Sequence, residues 1–295
     1  MRKLIFFLLV ALLLTSCNMS FDSQGKAHII CIGVEYGYVG GPPVLDGCID
    51  DALEVGLCLT KQITNTGVVA DTRYLLCRGV DPDEQSAAYP SPTHVLDTIA
   101  SLQVNKDDLI VFYYSGHGVN EAGAALALPP EEEGGYYAPL DMKTLFGALA
   151  EKGCQTVILA DCCYSGGLAV NQSAGTFKDG LTAFMRDAWQ PSVAVIASCK
   201  ENEESTVSYA QTIDGAKQKH GYLTIGLLEN LGWTHANAKT ETVLSGSDSY
   251  KVKGYVSDYL TKLDVATLKE NLKKSWAANY TIQFNDTRSG IYLIP

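Results

Sequence analysis

Apolar and β-branched residues gather into six short runs separated by polar segments of helical periodicity. These are AHIICIGVEY (27–36), RYLLC (73–77), LIVFYY (109–114), TVILA (156–160), SVAVIASC (192–199) and IYLIP (291–295). Runs of this length, rich in Ile and Val and apolar on both faces, predict buried strands of a parallel sheet. Between them, residues 48–62 place Ile49, Ala52 and Leu53 on one broad face of an amphipathic helix. Ser91-Pro92 opens a second helix, expected to run to about Val104, as an N-cap followed by a first-turn proline. Further helices are predicted over 141–152, 221–231 and 261–276. The stretch 119–139 reads as an exposed excursion, and 200–219 and 232–250 read as loops. Strands alternate with helices, so the expected class is α/β, with a mostly parallel central sheet of about six strands flanked by helices.

The first residues are set apart from this pattern. Met1-Arg2-Lys3 followed by the apolar run 4–14 has the charged and hydrophobic regions of a signal peptide. The run is too short for a confident membrane span. Leu14-Thr15-Ser16-Cys17 matches a bacterial lipobox, which makes residues 1–16 the signal peptide, Cys17 the lipidated residue and 17–26 a tether. The expected location is the cell envelope, outside the cytoplasm, with membrane contact through Cys17. One domain is expected from residue 27 to 295, its part beyond 232 being the least patterned. The composition is that of an ordinary globular protein, 46% hydrophobic and 19% charged over 295 residues. A net charge of -11 argues against nucleic acid as a partner and favours encounter with cationic substrates. Nothing in the pattern calls for a second copy, and a monomer is expected.

Nine cysteines are present, several inside apolar runs, where they read as small buried hydrophobes. Few or no disulfides are expected. No CxxC spacing with paired histidines points to structural zinc.

Two of the apolar runs end in chemistry. Tyr114-Ser115-Gly116-His117-Gly118 closes one, and Asp161-Cys162-Cys163-Tyr164-Ser165-Gly166 closes another. If the strands are neighbours, an imidazole and a thiol emerge from the same sheet edge, where open α/β sheets carry their ligands. An imidazole that takes the thiol proton makes the sulfur a strong nucleophile. Glycines beside His117 would let a substrate backbone approach. The amides of Gly118 and Cys163 could then hold a tetrahedral oxyanion.

These two motifs resemble those of the caspase-like cysteine peptidases, in particular the metacaspases of the peptidase C14 family and their bacterial relatives. Their spacing, from 117 to 163, is close to the roughly 50 residues found in caspases. The resemblance extends from residue 27 to about 230. It implies a caspase-hemoglobinase fold, a catalytic dyad of His117 and Cys163, and an endopeptidase acting through an acyl-enzyme. It also implies a pocket for the residue before the cleaved bond, at Cys48, Asp51, Ser115 and Asp161, that accepts Arg or Lys of a peptide or protein substrate. Tyr164 departs from the family's usual histidine. Calcium activation, common in that group, needs clustered carboxylates. No acidic residue follows Cys163 until Asp179, and Glu131, Glu132 and Glu133 are a weak substitute, so a calcium site is doubtful though still open, and the dyad itself requires no metal or organic cofactor. Lys178 and Arg186 are candidate self-cleavage sites. Rival readings are a relative preferring Asn or Asp, a catalytically silent scaffold module, and a redox pair at Cys162-Cys163, disfavoured because adjacent cysteines close a strained ring.

Overall fold

The computed structural model describes residues 25–37, 41–79, 88–120, 123–131, 135–163, 193–199, 207–211, 217–236, 238–274, 282–284 and 290–295. Cys17, Tyr164, Lys178, Arg186 and the signal segment lie outside them. The central sheet is built from β1 (Lys26–Val34), β2 (Val69–Cys77), β3 (Leu109–Ser115), β7 (Gln155–Asp161), β8 (Val193–Ala197) and the short β16 (Gln283–Phe284). Their spatial order is β16-β8-β7-β3-β1-β2. All neighbours pair in parallel except β16, which closes the β8 edge antiparallel.

Alternate residues along these strands feed two separate cores. Ile29, Cys31, Val111, Tyr113, Val157 and Leu159 face one side, packed with α1 (Cys48–Asn65), α4 (Tyr222–Asn230) and α5 (Val265–Leu272). Ile30, Ile32, Ile110, Phe112, Tyr114 and Ile158 face the other, against α2 (Pro92–Ser101) and α3 (Met142–Ala150). Because both faces are covered, β3 and β7 are buried at every position. Each large apolar side chain so buried contributes about 1.5–3 kcal/mol.

The polar connections were harder to read. The supposed excursion at 119–139 instead holds β5 (Ala125–Leu128) and β6 (Ala138–Asp141), which with β4 (Gly118–Val119) form a three-stranded antiparallel sheet. All four residues of β5 are buried, since this sheet lies over the second core. The stretch 200–219 contains strand β9 (Val207–Gln211) and the start of β10 (Lys217–Gly221), which form a hairpin. The loop-like 232–250 carries β11 (Trp233–Thr234), β12 (Thr240–Ser245) and the first residues of β13 (Asp248–Lys253), and β12 pairs with β13. β14 (Tyr255–Val256) pairs with β11. The helix expected over 261–276 starts later, because Asp264 caps it through the Thr267 amide at 2.8 Å. The two residues before it form β15 (Leu263–Asp264). The last strand, β17 (Tyr292–Ile294), pairs with β15 rather than joining the central sheet. No described helix is long and apolar enough to cross a membrane.

Candidate active site

The order β2-β1-β3-β7-β8 reverses direction between β1 and β3, and open α/β sheets bind ligands at the carboxyl ends of the strands beside such a reversal. Both chemical motifs leave the sheet there. Ser115 is in register with Asp161 across the parallel pair β3/β7. His117 lies two residues beyond the first and Cys163 two beyond the second, so register carries both to one edge, on chains about 4.8 Å apart. The loops are pressed together at Gly118, where a Cβ would collide with the Cys163 carbonyl. At Gly116 a Cβ would meet the hydroxyls of Tyr114 and Tyr36. These glycines therefore admit the protein's own backbone and tyrosines, where the sequence pointed to a substrate.

His117 and Cys163 line a cleft of about 290 Å³ together with Cys48, Asp51, Ser115 and Asp161. His117 is held by three contacts, two to its ring and one to its backbone amide. Its Nε2 lies 2.8 Å from the Pro43 carbonyl. A carbonyl only accepts, so Nε2 carries the proton and Nδ1 keeps the lone pair. The Tyr36 ring packs against it with centroids 4.6 Å apart. The Tyr36 hydroxyl accepts from the His117 amide at 2.7 Å and donates to the Ala127 carbonyl at 2.5 Å. Tyr36 reaches this position from a left-handed backbone conformation, φ 59°. A base oriented by a further group next to a thiol is the general arrangement of an activated nucleophile.

The two adjacent cysteines differ. Cys163 is half-buried at the cleft, whereas Cys162 is 1% exposed and belongs to the second core. Burial, with the neighbouring Cys199 and Cys163, pushes the Cys162 thiol well above the ordinary cysteine range. Its carbonyl accepts from the Ser198 hydroxyl at 3.1 Å and its amide donates to the same oxygen at 3.1 Å. None of the described cysteines, Cys162 and Cys163 included, is in a disulfide.

At the inner end of the cleft stand two carboxylates. Asp51, in the first turn of α1, accepts from the Ser115 hydroxyl at 2.7 Å and the Gly221 amide at 3.2 Å, and faces His220 Nδ1 at 2.6 Å. Burial lowers the His220 pKa, but the hydrogen bond and charge of Asp51, with Glu54 and Asp50, outweigh it and raise the pKa to about 9. Asp161 Oδ2 accepts from the Thr224 amide at 2.9 Å and hydroxyl at 2.8 Å. Burial first, and then the charge of Asp51, push Asp161 up to about 6, against the opposing hydrogen bonds of Thr224 and Ser198. Gly221 has no room for a Cβ because the Asp161 carboxylate packs against it. Burial, then Asp51, likewise keeps the Cys48 thiol protonated.

Residues 26–170 match the family model described as metacaspase, peptidase C14 domain. Over these residues the chain is similar to the metacaspase family. It is 28% identical over 159 residues to Metacaspase-4 of Arabidopsis thaliana, covering 47% of this chain and 33% of that one. To Metacaspase-1 of Cryptococcus neoformans var. neoformans serotype D it is 29% identical over 158 residues, covering 48% and 32%. The chain thus spans about a third of the length of these curated metacaspases. A crystal structure of a Geobacter sulfurreducens protein aligns with a TM-score of 0.43 and 18% identity, over 69% of this chain and 81% of that one. The matched region contains both strand exits of the candidate site, the Pro43 carbonyl and Asp51. His220 and Thr224, which hold the two carboxylates, lie beyond it. Tyr36, Pro43, His220 and Thr224 were not anticipated as parts of the site, and no local sequence signal marks them.

Proposed function

We propose that this chain is a cysteine endopeptidase of the caspase-like class that cleaves after Arg or Lys through an acyl-enzyme. The observation that carries the reading is the matched exit of His117 and Cys163 from paired strands into one cleft that also contains Asp51 and Asp161. Cys163 passes its proton to His117 and attacks the carbonyl carbon. His117 then protonates the leaving amine, and water releases the acyl group from sulfur. The amides of Gly118 and Cys163 hold the oxyanion. A guanidinium or ammonium entering the inner end of the cleft meets carboxylates in charge-assisted hydrogen bonds. No step of this sequence needs a metal or organic cofactor.

Fluorogenic peptides bearing Arg, Lys, Asn or Asp before the scissile bond test this on wild type, Cys163→Ala and Cys162→Ala. Cleavage of Arg and Lys peptides is expected, abolished by the first substitution and largely kept by the second. Preference for Asn or Asp contradicts the pocket. Failure of an acylating peptide probe to label Cys163, with and without calcium, leaves a silent scaffold module. Cys17, supported by the apolar run 4–14 and the motif ending at it, anchors the enzyme in the envelope; a Cys17→Ala chain that still incorporates a lipid precursor refutes this.

A further inference from the structure

Behind the cleft, on the far side of Asp51, three side chains from distant elements converge. Glu54 comes from the second turn of α1, His220 from the end of β10, and His235 follows β11. One ligand atom from each lies within 4.8 Å of the others. His235 Nε2 is 3.0 Å from both Glu54 oxygens, and His220 Nε2 is 3.9 Å from Glu54 Oε2. Glu54 and His220 are 3% and 2% exposed, and the His235 side chain is 12% exposed.

We propose that Glu54, His220 and His235 form a binding site for a divalent transition-metal ion of the zinc type. Ligand atoms of a tetrahedral ion with bonds of about 2.0–2.1 Å stand about 3.3 Å apart, so side-chain adjustments of up to about 1.5 Å bring this set into place. Two imidazole nitrogens and one carboxylate leave the fourth position to water. Supporting groups of the kind that orient metal ligands are already in place. Asp51 faces His220 Nδ1 at 2.6 Å, so the ring can give its proton there and turn Nε2 to the ion. The Trp233 indole N–H donates to Glu54 Oε2 at 2.7 Å and fixes the carboxylate. The rings of His220 and His235 stack at 6.2 Å with 21° between their planes, and the Nε2 of each lies on the side of Glu54. Two neutral imidazoles between two carboxylates, Asp51 and Glu54, balance a charge of two plus. The nitrogen donors select against calcium, which takes oxygen ligands. Only the link from this site to substrate, through Asp51, rests on the peptidase reading; metal binding does not.

The test uses the full chain in a Cys163→Ala background, stripped with a chelator and titrated with Co²⁺. One equivalent is expected to give the visible absorption of tetrahedral cobalt without a thiolate-to-cobalt band, displaced by Zn²⁺ and unaffected by excess Ca²⁺. Zn²⁺ should raise the Tm of this protein. His235→Ala should weaken binding at least ~100-fold and remove the Tm rise, since loss of supporting groups alone costs about 10–100-fold. His235→Gln, which keeps the side-chain bulk, serves if the alanine variant does not fold. Absence of the cobalt spectrum, a thiolate band, displacement by Ca²⁺, or unchanged affinity in the His235 variants overturns the proposal. All readouts are independent of peptide cleavage, so failure of the site and failure of the peptidase reading give different results.

Discussion

Asp161 gives the sharpest test of the proposal that the cleft reads a basic side chain. Its pKa stands near 6, raised by burial and by Asp51, so its charged form populates only above that pH. An arginine before the scissile bond needs the charged form; citrulline has nearly the same shape and no charge. A hydrogen bond to a charged group contributes about 1.5–3 kcal/mol. At 1.36 kcal/mol per factor of ten, that is about 10–150-fold in kcat/KM for Arg over citrulline. Ionisation of a group with pKa 6 is about nine-tenths at pH 7 and one-tenth at pH 5. The Arg/citrulline ratio should therefore fall about five- to tenfold between those values. The ratio matters because titration of His117 and Cys163 affects both substrates and cancels, and kcat/KM reports ionisation in the free enzyme. Asp161→Asn keeps an oxygen to accept the Thr224 amide and should lower the ratio at pH 7 and remove its fall toward pH 5, leaving the part that Asp51 supplies. A wild-type ratio that stays flat from pH 5 to 8, or an unaltered ratio in Asp161→Asn, refutes the reasoning.

Gly118→Ala drives a methyl group into the Cys163 carbonyl and must part the two loops. A loss of about 100-fold in kcat/KM is expected for such displacement, with Cys163 still alkylated by iodoacetamide; activity within a few-fold of wild type would show that the contact does not set the geometry. Tyr36→Phe leaves the His117 amide without its buried acceptor. That should cost about 1–3 kcal/mol in urea unfolding and lower kcat/KM, and unchanged unfolding would mean that another acceptor replaces the hydroxyl.

The parts of the fold legible in the sequence are those where burial on both faces imposes a continuous apolar run. LIVFYY and TVILA could be little else but central strands, and the residues that end them were legible because strand ends are where such folds carry chemistry. What local pattern does not contain is register. That His117 and Cys163 each lie two residues past a paired position follows from β3 and β7 being neighbours, which the topology decides. The antiparallel pieces were missed for a different reason. In TETVLS only Val243 and Ser245 are buried, so a half-exposed hairpin reads as polar loop. β5 is too short to show a period, and flanking Gly and Pro residues disguised it. His220 and His235 are invisible as partners of Glu54 because up to 181 positions separate them.

Asp51 occupies a special place in this arrangement. One of its oxygens faces the cleft network of Ser115 and Gly221, and the other faces His220, whose second nitrogen turns toward Glu54. Removing its charge would strip the cleft of a carboxylate and leave a buried imidazole without its partner, a loss that alone is strongly destabilising. A defect in Asp51→Asn would thus mix specificity, stability and any metal effect. Asp161 is anchored to Thr224 on α4 and, in the described contacts, shares no hydrogen bond with His220 or Glu54. Specificity is therefore best probed from Asp161 and the rear cluster from His235. A change at Asp51 becomes interpretable only after both ends have been measured, because the two sites meet at that carboxylate.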